Sequence, residues 1–330
     1  LIWTLSDGRA GIQNQVVGLA EALSRLVPCA LVHKKISYKK TFDRLPSLIK
    51  TASSLMLASD SDPIEPPWPD IIIAAGRATL PSMRLLSQSV RAQTLLVQVQ
   101  NPRADLQQFD LIIAPAHDAL KAAHCVSIIG SPHRVTLDVI RTAYENKQAQ
   151  WDHLPRPHIA ILIGGRSKSH DLDEFTAKNL AFSIKTAVKE AGGSLFLTMS
   201  RRTPAKARQV LIDCLSDMPG IIYDNRGENP YMAFLGTADI IAVSEDSVNM
   251  ITEAAATGKP IFRLNLKPRP LRWAQKKFAH LYESLEENGI LRPFEGRFYS
   301  YDYPPLQETE KAAQALLEAF VVKFPNRALF

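Results

Sequence analysis

Residues 240–262, IIAVSEDSVNMITEAAATGKPIF, carry the clearest fold signal in the chain. Ile240, Ile241, Ala242 and Val243 form a continuous apolar run, as expected of a parallel strand covered on both faces. An acidic-serine turn follows, in which Asp246 or Ser247 can cap a helix by accepting from the unpaired amides of its first turn. Met250, Ala254 and Thr257 then recur at helical spacing, and Gly258 followed by Pro260 stops the helix before a second apolar strand. Strand, turn, helix and strand make a half-unit of a doubly wound α/β sheet. Ligands of such sheets sit beyond the carboxyl ends of strands, so the turn of residues 244–249 faces a crevice, and Glu253, about two turns into the helix, projects nearby.

The rest of the chain is consistent with that class. Its 330 residues suit two domains, each large enough for its own core. With 46% hydrophobic and 22% charged residues it has no disorder signature, and no apolar run approaches the roughly 20 residues that span a bilayer. The three cysteines, Cys29, Cys125 and Cys214, lie far apart without C-x-x-C spacing, as buried thiols in a reducing cytoplasm do. The chain opens on an apolar strand without Met or a charged leader, so the expectation is that a few residues precede it and that no secretory signal is present. A formal charge of +6 points to an anionic partner. Nucleic acid is set aside, because aromatics make up only 8% and there is no recognition-helix, zinc or aromatic-platform motif. Phosphate-bearing small molecules or an anionic membrane surface suit the scattered basic clusters.

In chain order, residues 1–5 are a strand, and Ser6-Asp-Gly-Arg-Ala-Gly11 is a small-residue turn before a helix over 14–26. A glycine-rich strand-to-helix turn can hold an anion, since glycine permits close backbone approach and the helix amides point at the ligand. The spacing of Gly8 and Gly11 is not that of the dinucleotide fingerprint, and a plain tight turn has the same composition. A strand over 30–36 runs into Lys34, Lys35, Lys39 and Lys40. Residues 41–58 then set Phe42, Leu45, Leu48, Ile49, Leu55, Met56 and Leu57 among basic and small residues. A helix packed on its own sheet with a solvated basic edge is the first reading of this segment; an amphipathic surface touching lipid headgroups is the second. Strands over 70–75, 95–99 and 111–115 each end in polar or basic residues, where a doubly wound sheet places its site. Residues 144–157, polar and with two prolines, mark the expected domain boundary. A strand over 158–163 follows, with Gly164-Gly-Arg-Ser-Lys168 as a second glycine turn. Residues 195–198 form a strand ending in Ser200-Arg-Arg-Thr-Pro204. Adjacent arginines there can fork onto phosphate or carboxylate, although a solvated helix start reads the same way. A final helix is expected over 308–323.

Taken together, VSEDSVNMITEAAATGKPIF, SRRTP, GENPY, SDGRAGIQNQ, NPRADLQQFDLIIAPAHD and GSPHRVT resemble the mitochondrial-fission-protein family, the plant elongated-mitochondria protein and its bacterial relatives. The resemblance spans nearly the whole chain. It implies an architecture similar to that of GT-B glycosyltransferases: two Rossmann-like domains facing a cleft, with the last helix crossing back onto the first domain. Bacterial members of the family also carry a nucleoside-diphosphate-sugar epimerase label, for which no G-x-G-x-x-G motif is present here. The pattern is similar to that of the transferase that adds N-acetylglucosamine to lipid-linked peptidoglycan precursor. Its Gly-Gly-Ser turn resembles Gly164, Gly165 and Ser167, with Arg166 inserted. Its Ser-Gly-Ala-x-Thr-x-x-Glu helix start resembles residues 247–253. By that match Glu253 accepts from ribose hydroxyls, and the amides of Ser247, Val248 and Asn249 face the diphosphate.

The departures matter as well. Asp246 and Ser247 stand where the transferase has Ser-Gly, and Glu245 precedes them. Two carboxylates beside a diphosphate repel it by a few kcal/mol at an effective dielectric near 20, unless Arg166, Arg201 and Arg202 compensate. The alternative is that the acidic pair binds a cationic or hydroxyl-rich ligand. The transferase's catalytic histidine has no counterpart in residues 11–15; Asp7 is the nearest ionisable candidate, with helix capping as its other reading.

The expectation is therefore an α/β protein of GT-B type: an acceptor-side domain over 1–150, a nucleotide-sugar domain over 151–305, and a helix over 306–330 packed on the first. Its function is expected to be transfer of a sugar from a nucleotide-sugar donor, or else that of a non-catalytic adaptor at a membrane surface. Candidate residues are Asp7 for catalysis and, for binding, Gly8, Gly11, Gly164, Gly165, Arg166, Ser167, Ser200, Arg201, Arg202, Asp246, Ser247, Val248, Asn249 and Glu253. No metal or separate cofactor is expected. The location is expected to be cytoplasmic, peripheral on the inner face of a membrane if on a membrane at all.

Overall fold

The structure, a computed structural model, describes residues 1–39, 42, 56–270 and 272–327, excepting the side chains of 272–277. The chain forms two compact units: unit 1 is Leu1–Arg134 with Gln307–Phe330, and unit 2 is Val135–Leu306. Most of the segment read as an apolar surface, residues 41–58, lies outside the described residues.

Unit 1 is built on a six-stranded parallel sheet of β1 (Ile2–Ser6), β2 (Leu31–Lys35), β3 (Ile71–Ala75), β4 (Leu95–Val99), β5 (Leu111–Pro115) and β6 (Cys125–Ile128), in the order β2-β1-β3-β4-β5-β6. β1, β3, β4 and β5 are buried along their whole length, which is why their sequences are nearly unbroken apolar runs. Edge strand β2, LVHKK, is half-buried or exposed and carries the lysines suited to an unpaired edge. Helix α1 (Ala10–Leu26) covers one face and α2 (Leu80–Ser89) follows β3. The sheet reverses direction of growth between β1 and β3, the position at which doubly wound sheets bind ligands.

Helix α1 begins earlier than its sequence suggests. Arg9 is its N-cap residue and makes no side-chain cap, so Gly11 lies inside the first turn rather than in a loop. Farther along, a Cβ on Gly18 would come within 2.4 Å of the His133 carbonyl group, so glycine here permits close approach of two backbones.

Unit 2 opens with α3 (Leu137–Glu145) and α4 (Gln148–Trp151) and holds a second six-stranded parallel sheet. Its strands are β7 (His158–Ile163), β9 (Ser194–Met199), β10 (Gly220–Tyr223), β11 (Ile240–Ser244), β12 (Ile261–Leu264) and β14 (Leu291–Pro293), ordered β10-β9-β7-β11-β12-β14. Counted within the unit, this is the 3-2-1-4-5-6 order of a Rossmann fold, with its switch point between β7 and β11. The flanking helices are α5 (Glu174–Glu190), α6 (Ala205–Leu215), α7 (Tyr231–Thr237), α8 (Val248–Ala255) and α9 (Arg272–Glu287). A short antiparallel pair, β8 (His170–Asp171) with β13 (Lys267–Pro268), adjoins the glycine turn after β7.

The units change hands after Arg134, ahead of the polar segment over 144–157. The reason is packing. Trp151 is buried and meets Phe196 edge-on at 5.4 Å and Phe234 at 5.5 Å, and a Cβ on Gly236 of α7 would lie 2.2 Å from the Ile140 carbonyl oxygen. The polar residues of this segment are the exposed parts of two helices and a turn anchored in unit 2. The last helix, α10 (Glu308–Lys323), belongs to unit 1: Ala312, Ala313, Leu316 and Phe320 share a core with Val16, Leu19, Ala20 and Leu23 of α1. Lys323 adds an ion pair to Asp110 at 2.6 Å.

Candidate nucleotide-sugar site

The switch point of unit 2 brings together three turns distant in sequence: residues 164–167 after β7, 200–203 after β9, and 244–247 after β11. Strand pairing sets this arrangement, since Val243 lies opposite Leu162 and Ile163 opposite Met199. The Gly164 amide donates to Ser244 Oγ at 2.7 Å, and the Thr203 hydroxyl donates to the Gly164 carbonyl at 3.0 Å. The Ser200 hydroxyl donates to that same carbonyl, and the Arg166 amide donates to the Arg202 carbonyl at 3.0 Å. Gly165 has φ +121°, and a Cβ on it would meet the Arg202 carbonyl oxygen at 2.5 Å, so glycine is required on both counts.

Asp246 is the centre of the site. Its side chain is fully buried, accepts from the Ser244 hydroxyl at 2.7 Å, and pairs with Arg202 Nη1 at 2.8 Å. Burial pushes its carboxyl up, opposed by Arg202, Ser244, the Gly165 amide and His170. The expected helix cap is absent: Ser247 is the N-cap residue of α8 without a side-chain cap, because Asp246 turns toward the glycine strand end instead. Val248 and Asn249 form the first turn of that helix.

Glu245, the second carboxylate of the turn, points to the other side of β11. It accepts from the Leu266 amide at 2.7 Å and from Arg263 at 2.9 Å, and His170 Nε2 stands 3.4 Å away. Arg263 also binds Glu286 at 3.0 Å, and the Tyr282 hydroxyl donates to the Glu245 carbonyl. The two acidic side chains are thus neutralised separately, Asp246 by Arg202 and Glu245 by Arg263. Of the three arginines expected to compensate them, only Arg202 does so. Arg166 stands 3.6 Å from Asp171, and Arg201 is exposed. Ser167 serves its own turn, accepting from the Ser169 and His170 amides at 3.2 and 3.1 Å.

Glu253 does not project freely from α8. It is buried, and its Oε2 accepts from the Tyr231 hydroxyl at the start of α7. Burial pushes its carboxyl up to about 7, with the Tyr231 bond pulling the other way. Sequence reading missed Tyr231, Thr203, His170 and Arg263. Thr203 lies in the SRRTP block and Tyr231 in the GENPY block, and nothing local marked His170 or Arg263.

In unit 1, Asp7 and Gly8 follow β1 at that unit's own switch point. Asp7 accepts from the Arg9 amide at 3.1 Å and pairs with the Arg9 guanidinium at 2.6 Å, ahead of α1 rather than capping it. Gly8 has φ +76°. The lysines of β2 have internal partners: Lys34 donates to the Pro63 carbonyl at 2.7 Å, and Lys35 pairs with Asp60 at 2.7 Å. They are therefore less of a free basic surface than the sequence suggests. A separate hollow lined by Asp138, Lys147, Glu228 and Asn229 shares no residue with either glycine turn.

Residues 10–320 match the model of the family described as mitochondrial fission ELM1. The chain belongs to that family. It is similar to the mitochondrial fission protein ELM1 of Arabidopsis thaliana, 31% identical over 272 residues covering 74% of this chain. It spans 62% of that relative's length. It also resembles an uncharacterised protein of Rickettsia prowazekii, 25% identical over 96% of this chain and 97% of the relative. Among solved structures, a Neisseria meningitidis UDP-GlcNAc 2-epimerase bound to UDP-GlcNAc has a TM-score of 0.51 at 14% identity, covering 97% of this chain and 99% of that one. A Listeria monocytogenes protein assigned as a UDP-N-acetylglucosamine 2-epimerase has a TM-score of 0.57 at 12% identity, over 100% and 98%. The Methanocaldococcus jannaschii UDP-GlcNAc 2-epimerase, in complex with UDP-GlcNAc and UDP, has a TM-score of 0.50 at 13% identity, over 100% and 93%. At such identities the likeness is one of fold. This ELM1-family chain has the GT-B class of fold, two α/β domains each with a six-stranded parallel sheet.

Proposed function

We propose that this chain is a nucleotide-sugar-dependent glycosyltransferase whose donor site is the switch point between β7 and β11 of unit 2. The observation that carries the reading is the meeting of a double-glycine turn, the Arg202 guanidinium and the start of α8 at the switch point of a sheet in Rossmann order. The nucleotide sugars bound by the Neisseria and Methanocaldococcus proteins of like fold support that ligand class. In this proposal Gly164, Gly165 and Arg202 lie at the diphosphate, with the amides of Ser247, Val248 and Asn249 beside it. Arg166 and Arg201 add positive charge, Ser167 and Ser200 hold the turns, and Glu253 with Tyr231 lines the ribose side. Asp7 is the base candidate of unit 1, with Gly8 and Gly11 beside it on the acceptor side.

A thermal-shift screen against nucleoside diphosphates and their sugars tests the reading. Ligand at a hundred times its dissociation constant adds about 2.7 kcal/mol. A shift with one nucleotide sugar is expected, and unchanged melting across the whole set at millimolar concentration removes the proposal.

One observation favours a second reading, a peripheral adaptor at a membrane surface facing the cytoplasm. Phe175 and Phe182, on one face of α5, are 75% and 72% exposed, with Lys178 between them. Aromatic side chains with interleaved lysine suit an anionic lipid surface. Among the described residues no helix is long and apolar enough to cross a membrane, so contact through this face would be peripheral. Sedimentation with phosphatidylserine vesicles that is lost on Phe175→Ser with Phe182→Ser supports the adaptor; equal sedimentation of parent and variant excludes this face.

A further inference from the structure

Two groups at the switch point of unit 2 converge on one spot. The Ser244 hydroxyl is 2.7 Å from Asp246 Oδ1, and Arg202 Nη1 is 2.8 Å from Oδ2. A Cβ on Gly164 would lie 2.3 Å from Oδ2 and 2.5 Å from Oδ1. Gly164 is therefore a glycine because an anionic group rests against the backbone at this point. A guanidinium and a hydroxyl converging beside a glycine are a means by which proteins hold phosphate oxygens.

The group in that place belongs to the protein itself, and it fits incompletely. Oδ2 has the ion pair with Arg202 but no hydrogen bond of good geometry. The carboxylate is also fully enclosed, an environment that disfavours its charge.

We propose that Ser244 and Arg202, beside the bare backbone of Gly164, form a phosphate-type anion site of which Asp246 is the resident occupant, and that the diphosphate of a nucleotide ligand enters by exchanging with the Asp246 carboxylate. The inference rests on the nucleotide-sugar reading for the identity of the ligand, but not for the existence of the anion site. Exchange keeps Ser244 and Arg202 facing an anion throughout, because one anion replaces another. It also resolves the conflict between an acidic turn and an anionic ligand: the Asp246 charge leaves the position that the phosphate takes. The parent then binds more weakly than its donor set permits, since every ligand must first displace the side chain.

The test is calorimetric titration of inorganic pyrophosphate into the full chain, Asp246→Ala, and Asp246→Ala with Arg202→Ala, with UDP-GlcNAc as a second titrant. Asp246→Ala should bind pyrophosphate at least tenfold more tightly than the parent, and the double variant should lose that gain. Acetate should raise the melting temperature of Asp246→Ala, by refilling the vacated place, and leave the parent unchanged. Should Asp246→Ala fail to fold by circular dichroism, Asp246→Asn keeps the shape without the charge and should still bind pyrophosphate more tightly than the parent. Equal pyrophosphate affinity in parent and folded single variant, or a gain that survives loss of Arg202, overturns the inference. Pyrophosphate binding by Asp246→Ala, with no nucleotide sugar of the thermal-shift set binding parent or variant, keeps the anion site and removes the nucleotide-sugar reading. UDP-GlcNAc binding by the parent with no pyrophosphate response in either variant does the reverse.

Discussion

Replacing Glu253 by glutamine should abolish a pH dependence of stability that the parent shows between about pH 4.5 and pH 7. Burial pushes this carboxyl from 4.5 up to about 7 in the folded protein, the Tyr231 hydroxyl offsetting part of the effect. Across that window the folded state holds a proton that the unfolded chain has released. The contribution of Glu253 is therefore fully present below about pH 4.5, is lost as pH rises through 7, and is flat above it. The separation corresponds to about 3 kcal/mol between the two ends. Glutamine fills the same volume and its carbonyl can still accept from Tyr231, but it has no proton to lose. Urea unfolding at pH 5, 6, 7 and 8 should give near-equal stabilities at pH 5 and a variant more stable by up to about 3 kcal/mol at pH 8. Asp246 also has a raised carboxyl, but it is common to both proteins and cancels in the difference. Parallel pH profiles for parent and variant would mean that Glu253 ionises as it does in water, against the burial seen here.

Further substitutions test the packing around the site and the division of the chain. Gly164→Ala drives a methyl group to 2.3 Å from Asp246 Oδ2 and should cost about 1–3 kcal/mol, and adding Asp246→Ala should recover part of that loss in a double-mutant cycle. Arg202→Ala leaves a buried carboxylate without its cation and should cost about 1–3 kcal/mol, whereas Arg201→Ala should stay within about 0.5 kcal/mol of the parent in the same denaturation assay. Trp151→Ala should destabilise unit 2 by about 3–5 kcal/mol, read by amide exchange in β9 and α7. Unchanged exchange there would show that the segment over 144–157 is a linker.

The sheets were legible because strands covered on both faces must be apolar throughout. IIAVS in β11 and HIAILI in β7 have no other common reading when bounded by turn residues. The end of α8 was legible for a similar reason: Gly258, at φ +71°, takes a backbone conformation that other residues resist. Residues whose role depends on contacts across the sheet were not. Asp246 has the composition of a helix cap, and only the adjacency of β7 and β11 turns it toward Gly164 instead. Arg263 meets Glu245 across neighbouring strands, and Tyr231 meets Glu253 from a different helix; no local spacing encodes either pair. The start of α1 escaped notice because Arg9 carries no capping bond, and the unit boundary because the exposed faces of α3 and α4 have the composition of a linker.

Hydrogen–deuterium exchange of the full chain with and without UDP-GlcNAc shows whether the switch point of unit 2 holds a nucleotide sugar. Added protection is predicted in peptides covering residues 164–167, 200–203 and 246–253, the three turns that meet at the switch point of unit 2. Saturating ligand that leaves all three unchanged, or protects only the α5 face around Phe175 and Phe182, would contradict a nucleotide-sugar site at that switch point.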